Sequence, residues 1–118
     1  MNEEHRFQSC IAACSSCATA CESCMAACLS EERAATLTRC IQLCRDCADI
    51  CHSCASLMIR ESEYASAMCH VCLVVCIDCG EECAVHGNNH CQECARACQL
   101  CAEECELMAD WHGAAPLP

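Results

Sequence analysis

Positive charge is scarce in this sequence, which has no lysine, six arginines and 17 acidic residues, for a formal net charge of −11. A protein that binds nucleic acid or an anionic membrane needs a basic face, so we expect neither as a partner. A cationic ligand is compatible with this charge. Scattered acidic residues form a solvated surface in most proteins, however, so the charge alone identifies no ligand.

Aromatic residues and glycine are also scarce, with one Phe, one Tyr, one Trp and three Gly in 118 residues. Alanine and aliphatic residues are nevertheless abundant, and 55% of the chain is hydrophobic. Disordered chains have too few apolar residues to form a core, whereas this chain has enough, so the composition predicts a folded protein. The length suits one small domain.

An export signal is not recognisable in the opening stretch MNEEHRFQSC, which lacks a basic region, an apolar segment and a small-residue cleavage site. No apolar run approaches the ~20 residues that span a bilayer. We therefore expect a cytoplasmic protein, in a compartment where thiols stay reduced. A secreted disulfide scaffold, the usual explanation for many cysteines in a short chain, is disfavoured for the same reason.

Cysteine is present in large excess, at 21 residues in the chain. The cysteines fall into four groups, and within each group the steps between them alternate between three and four residues. Such a pattern keeps side chains on one face of an α-helix, whereas on a strand it would scatter them over both faces. The groups are Cys10, Cys14, Cys17, Cys21, Cys24 and Cys28; Cys40, Cys44, Cys47, Cys51 and Cys54; Cys69, Cys72, Cys76, Cys79 and Cys83; and Cys91, Cys94, Cys98, Cys101 and Cys105.

Four amphipathic helices with short connections predict an all-α protein, an antiparallel up-down four-helix bundle with a Cys-lined core. We expect one domain in residues 1–110 and a frayed tail in residues 111–118. The helices are expected near residues 4–28, 32–60, 63–85 and 90–110.

Polar residues between the groups predict where the helices begin. Ser30 and Ser62, each followed by acidic residues, are predicted N-caps of the second and third helices. Asn89 and Gln92 have the spacing of a capping box at the start of the fourth.

Cysteine can act simply as a small buried hydrophobe, but that role does not explain 21 positions in a chain that also uses Leu, Ile and Val. Residues three or four apart on a helix lie about 5–6 Å apart at Cβ, so two thiolates can converge on one metal ion. If each ion takes two sulfurs and each sulfur bridges two ions, the capacity is on the order of 20 ions.

The sulfur-only environment selects a soft metal, namely Cu(I), zinc or an iron–sulfur cluster. Zinc favours closed tetrahedral sites, which a uniform stripe of cysteines along each helix is expected to form poorly. An iron–sulfur cluster is disfavoured because the chain has no Cys-Pro of the kind found in iron–sulfur motifs. Cu(I) accepts two or three sulfurs and is monovalent, so each ion replaces about one thiol proton without leaving a large buried charge. The residues thus favour Cu(I), and a zinc or cadmium sink remains an alternative.

A thiol redox buffer or redox enzyme is the main alternative of another class. Thioredoxin-type C-x-x-C chemistry needs an acidic thiol at a helix N-terminus beside a βαβ unit. Most of these cysteines lie in the middle of predicted helices, and no segment is predicted as a strand. We therefore expect no catalytic residues.

The segment CIDCGEECAVHGNNHCQECARACQLCAEEC, residues 76–105, resembles the cytosolic branch of the copper storage proteins. Together with the other groups of regularly spaced cysteines, which we call ladders, the resemblance covers residues 10–108. It implies a four-helix bundle that holds many Cu(I) ions on core cysteines, typically as a tetramer, and implies no catalysis. By position on the ladders, all 21 cysteines become candidate ligands.

Antiparallel helices are expected to give the bundle two chemically different ends. His86 and His90 flank the cysteines at one end, where we expect metal to enter, because neutral imidazole can pass Cu(I) to the first thiols. The resemblance points to the same end. Met58 and Met108, with Phe7, are expected to plug the other end, as possible weak ligands or as ordinary packing. The remaining histidines, His5, His52, His70 and His112, are predicted to be flanking or terminal groups.

The third predicted helix is apolar on nearly all sides, because Val71, Leu73, Val74, Val75 and Ile77 surround its cysteines. A helix of this kind is buried on nearly all sides, and a thin bundle can achieve that only against another subunit. We expect a homo-oligomer with this helix in the interface, consistent with the tetramer that the resemblance implies. The second helix contributes Ile41, Leu43 and Ile50 as further candidates. The copper donor and acceptor are not identifiable.

Overall fold

The computed structural model describes residues 7–109. These residues form helices α1 (Gln8–Leu29), α2 (Thr38–Ile59), α3 (Ala65–Ala84) and α4 (Asn89–Ala109), with a 3₁₀ turn over Ala34–Leu37. The predicted frayed tail lies outside the described residues, as do the first residues of the predicted 4–28 helix.

The helices pack as an antiparallel up-down bundle, which confirms the predicted fold class. Each helix packs against the next in the chain, and α4 closes the bundle against α1. Every cysteine is at most 1% exposed to solvent. The core is therefore made of thiols along its length, because the alternating steps of three and four residues direct each stripe towards the bundle axis.

Small residues let the helices approach closely around the sulfurs. Ala18, Ala48 and Ala102 are buried beside the cysteine stripes. At Gly80 on α3, a Cβ atom would lie 3.2 Å from the Cβ of Cys98 on α4. A larger residue at this position would push α3 away from α4, because neither atom belongs to a flexible side-chain end.

Helix α1 is long and apolar enough to cross a membrane by length and composition, contrary to our expectation that no segment would be. In the structure its cysteines and Ala18 pack into the core, and Ser15, Thr19 and Glu22 lie on the exposed face. This two-sided pattern is typical of a core helix, whose high mean hydropathy here comes from Cys and Ala.

The predicted start of the second helix, at residue 32 with Ser30 as its N-cap, is wrong. Ser30 instead ends α1: its backbone N–H donates to the carbonyl of Ala27, and the next N–H, of Glu31, donates to the carbonyl of Cys28. The chain then crosses the end of the bundle in the 3₁₀ turn, and α2 begins at Thr38. Leu37 is buried by this turn, so the burial of one leucine over the core outweighs the local capping signal.

The other two predicted helix starts are partly wrong. The Ser62 hydroxyl accepts a hydrogen bond from the backbone N–H of Tyr64 at 3.1 Å, but α3 begins only at Ala65. Helix α4 begins at Asn89, so Asn89 is its first helical residue and not the predicted N-cap. The Gln92 amide donates instead to the carbonyls of Ala84, at 3.0 Å, and His86, at 2.6 Å. It thus ties the end of α3 to the start of α4.

Candidate metal centre

The sulfurs of the 21 free cysteines form a network along the bundle axis. The closest pair is Cys40 and Cys83, whose Sγ atoms are 3.4 Å apart. Contacts along one helix, such as Cys17–Cys21 at 4.0 Å, alternate with contacts between helices, such as Cys17–Cys98 at 3.7 Å. A metal ion at any point along the axis would therefore have several sulfurs within reach.

Groups of four cysteines have all their sulfurs within 4.8 Å of one another. Three of these groups take one cysteine from each helix, so they form layers across the bundle. The spacing within one helix does not reveal them, because each layer depends on how the helices are staggered. The layers are Cys14, Cys54, Cys72 and Cys105; Cys17, Cys51, Cys76 and Cys101; and Cys21, Cys44, Cys79 and Cys94.

Sulfur geometry alone does not exclude a divalent ion, contrary to our expectation that the stripe would form poor tetrahedra. Four sulfurs at a zinc–sulfur distance of about 2.3 Å lie about 3.8 Å apart, and neighbouring sulfurs here are 3.4–4.0 Å apart. The charge left in the core instead distinguishes Cu(I) from a divalent ion. A divalent ion on four thiolates leaves two negative charges, and no polar or charged side chain is buried among the described residues to balance them.

Two of the thiols at the histidine end, those of Cys28 and Cys91, are held in the protonated form. Burial, reinforced by repulsion from Cys40 and Cys28, raises the pKa of Cys91 to about 12. Burial, with repulsion from Cys40, also raises the pKa of Cys28. A metal ion that binds these sulfurs at neutral pH must displace their protons, so binding weakens as the pH falls.

Deeper in the core, some thiols are favoured as thiolates by their neighbours. Hydrogen bonds, first from Cys105 and then from Cys14, lower the pKa of Cys54 to about 6 and that of Cys101 to about 6. A thiolate of this kind is stable only while the thiols that donate to it stay protonated. The metal-free core is consequently a mixture in which neutral thiols predominate.

The structure separates the two histidines that the sequence grouped together. His90 Nδ1 lies 3.5 Å from the sulfur of Cys91, 3.6 Å from that of Cys24 and 3.9 Å from that of Cys28. His86 is turned away, and its Nε2 donates to Glu82 at 2.9 Å. His90 is therefore the imidazole that reaches the thiol core.

Two residues beside His90 were missed by the sequence analysis. Asn88 Nδ2 donates to Glu31 Oε1 at 2.8 Å, and the same oxygen lies 3.6 Å from His90 Nε2. Glu31, His86 and Asn88 also line a cavity of about 480 Å³ at this end of the bundle. The sequence gives no local sign that Glu31 lies near His90, because the contact depends on two loops that pack together. Glu31 and its partner Asn88 are 57 positions apart in the chain.

The opposite end is closed by apolar and thioether groups. Met58 is 1% exposed and its Sδ accepts a hydrogen bond from the Cys69 thiol at 3.7 Å. Phe7 is buried there, and Met108 is half-buried against the core. All three occupy the predicted plug, and Met58 is the thioether that contacts a cysteine.

The other described histidines lie away from the sulfurs. His52 Nε2 pairs with Glu22 Oε2 at 3.1 Å on the exposed surface, and His70 is exposed. His5 and His112 lie outside the described residues.

Helix α3 carries an apolar stripe on its outer face. Val71 is 44% exposed, Val74 46% and Ile77 43%. Leu73 and Val75 are half-buried on either side of the stripe. On the α2 side the stripe continues into a groove formed by Val75 with Leu43 and Ile50, and three aspartates line its edge, Asp46, Asp49 and Asp78.

Comparison with known proteins gives one consistent family. The sequence model of a family described as copper storage protein matches residues 3–110. A Bacillus subtilis (strain 168) protein, described as the uncharacterized cysteine-rich protein YhjQ, is 42% identical over 94 residues, which are 80% of this chain and 87% of that protein.

Two solved structures extend the similarity to the fold. The Cu(I)-bound copper storage protein BsCsp3 is 43% identical with a TM-score of 0.85, over 87% of this chain and 97% of its own. A cytosolic copper storage protein from Streptomyces lividans, in a structure with five coppers, is 38% identical with a TM-score of 0.89, over 93% of this chain and 97% of its own.

Proposed function

This chain belongs to the copper storage protein family, and we propose that it holds Cu(I) at high capacity on the thiolates along its bundle axis. The observation that carries the proposal is the network of 21 free, buried cysteines with no buried polar side chain among the described residues. Storage and buffering of Cu(I) follow from many similar soft sites in one protected core. The protein is cytoplasmic, as is the relative described as cytosolic.

The proposed ligands are the sulfurs of all 21 cysteines, with imidazole at the end where metal enters. The support for His90 as a ligand is direct contact with three thiols. His86 is an outer imidazole at the same end of the bundle, which we call the mouth. Met58 is a weak ligand or a plug at the opposite end. Met108 has only its half-buried position in favour of a similar role.

We propose a store and not a catalyst, because storage is what the family name describes and the sulfurs form a repeated array instead of one distinct site. The two alternatives predict different chemistry. A thiol redox buffer would cycle through disulfides, whereas a zinc or cadmium sink would saturate at about one ion per four sulfurs.

An anaerobic Cu(I) titration of the reduced protein against a chromophoric chelator tests the proposal. We expect on the order of 20 ions per chain before the chelator takes any. In weakly buffered solution, about one proton should be released per ion, because neutral thiols predominate in the metal-free core. Saturation at about five ions, or no acidification, would contradict high-capacity storage, and a parallel zinc titration identifies the divalent alternative.

Metal is proposed to enter at the His90 end. His90→Ala should slow Cu(I) uptake by about tenfold without lowering the final capacity, because it removes the imidazole that touches the first thiols. The double variant with His86→Ala should be at least as slow, and His86→Ala alone should have the smaller effect, since its imidazole faces Glu82.

The control is His52→Ala, which removes an exposed imidazole paired with Glu22 far from the mouth. Stopped-flow uptake from a Cu(I)–chelator complex measures the rates. Equal rates for His90→Ala and the unmodified protein would exclude this route.

We also propose that the chain forms a homotetramer through the outer face of α3. The support is the exposed stripe of Val71, Val74 and Ile77, which a monomer would leave in water. A second copy of the chain is the occupant that we assign to this stripe.

A further inference from the structure

Glu31 joins the two loops that cover the mouth of the bundle. It lies in the connection between α1 and α2, and its Oε1 accepts a hydrogen bond from Asn88 Nδ2 at 2.8 Å, in the connection between α3 and α4. The same carboxylate oxygen is 3.6 Å from His90 Nε2. The Glu31 side chain therefore contacts both Asn88, in the other loop, and His90, whose imidazole touches the thiols.

The orientation of Asn88 follows from its stronger contact. A carboxylate can only accept, so the amide must present its Nδ2 group to Glu31, and its other N–H faces His90 Nε2 at 3.4 Å. That second contact is long for a neutral hydrogen bond. Glu31 Oε1 is slightly farther from Nε2, at 3.6 Å, but it carries a full negative charge. This charge decides which ring nitrogen is protonated, because a carboxylate favours a proton on the nearest ring nitrogen.

The opposite side of the imidazole supports the same tautomer. Nδ1 faces three sulfurs, of Cys24, Cys28 and Cys91, at 3.5–3.9 Å. A thiol can donate to an unprotonated ring nitrogen, and all three of these cysteines are free thiols. A ring with the proton on Nε2 thus directs that proton to the Glu31 carboxylate and leaves Nδ1 to accept from the thiols, and it gives up only the long contact with Asn88.

We propose that Glu31 is a positioning residue for copper uptake, which holds His90 with Nε2 protonated and the Nδ1 lone pair turned towards the first three thiols. The inference rests on the proposed function. A Cu(I) ion that enters the mouth then meets a ready nitrogen ligand beside the sulfurs to which it is passed. Carboxylates that hold a ligating histidine by its other nitrogen serve the same purpose in many metal sites.

The tautomer of His90 is measured first, in the reduced metal-free protein, by long-range ¹H–¹⁵N NMR in alkaline buffer. We expect the Nε2–H form to predominate, and Glu31→Ala to shift His90 towards a mixture of the two forms. Glu31→Gln should shift it in the same direction, because the amide oxygen can still accept from Asn88 but the negative charge beside Nε2 is lost. The control, Glu32→Ala, removes the same charge from the same loop at an exposed position and should leave the spectrum unchanged.

Uptake kinetics are measured on the same variants. Glu31→Ala should slow Cu(I) uptake by about tenfold at unchanged capacity, and Glu31→Gln should also slow it, because the charge beside His90 is lost. In a His90→Ala background, Glu31→Ala should have no further effect, because Glu31 acts through His90. A role in loop packing alone would instead slow uptake in both backgrounds.

The inference is overturned if the His90 tautomer is the same in Glu31→Ala as in the unmodified protein, or if the two substitutions slow uptake independently. A low copper capacity of the unmodified protein would be a different result. It would contradict the storage function, while the NMR measurement on metal-free protein would still decide the role of Glu31.

Discussion

Replacing one layer of thiols, Cys21, Cys44, Cys79 and Cys94, with serine should lower the copper capacity of each chain by about four ions. These four sulfurs lie within 4.8 Å of one another and come one from each helix. If each thiolate bridges two ions in a continuous array, every sulfur removed takes about one ion with it. Serine has nearly the same shape, and its hydroxyls can hydrogen-bond across the layer, so the bundle should remain folded.

The measurement is the anaerobic chelator titration, with helix content followed by circular dichroism. The matched control replaces two other buried core residues, Ala18→Ser and Ala102→Ser, which adds hydroxyls but removes no sulfur. Its capacity should equal that of the unmodified protein. A folded layer variant with undiminished capacity would mean that these thiols are not ligands.

The kinetics of the same variant are informative about passage along the bundle. Thiols beyond the missing layer, such as Cys14 and Cys105, are farther from His90 than the layer itself. If ions pass from sulfur to sulfur from the mouth, these far sites should fill in a separate, slower phase. A uniform rate for all remaining ions would indicate that metal also enters elsewhere.

A charge on the α3 stripe, introduced as Val74→Asp, should convert the proposed tetramer into monomers. Val74 is 46% exposed, at the centre of the stripe between Val71 and Ile77. In a tetramer the new carboxylate would be buried against apolar side chains of another copy, which costs several kcal/mol unless it is paired. Because the chain already carries a net charge of −11, no excess of positive charge is available to pair with it.

Light scattering during size exclusion at micromolar concentration measures the mass, which for a tetramer is four times the 12.8 kDa of one chain. The control is Leu100→Asp, at a position on α4 that is 62% exposed and outside the α3 stripe. It should remain tetrameric. Copper capacity per chain should be unchanged in both variants, and a monomeric unmodified protein would contradict the proposed interface.

Much of the fold was predictable because the relevant signal is local. Steps of three and four residues place the cysteines of each helix on one face, and four such faces can be buried only against each other. The same reasoning placed Met58 and Phe7 at one end and the histidine pair at the other. The structure confirms the bundle without altering the arrangement of the stripes.

The capping signals failed where tertiary contacts competed with them. Ser30 has the chemistry of an N-cap, but the chain must first cross the end of the bundle and bury Leu37, so α2 begins at Thr38. Gln92 has the spacing of a capping box with Asn89, but its side-chain Nε2 donates to the carbonyls of Ala84 and His86 at the end of α3. Local propensity is a weak preference that such contacts override.

The sequence by itself determined the four helices, the burial of their cysteines and the chemical difference between the two ends, because each follows from spacing along one segment. Only the tertiary structure decided which sulfurs form a layer, that His90 and not His86 reaches them, and that Glu31 lies beside His90. Those relations join residues on different helices and loops, up to 91 positions apart in the chain, and distances of that kind depend on helix stagger and loop path. Neither quantity is written in the periodicity of any single helix.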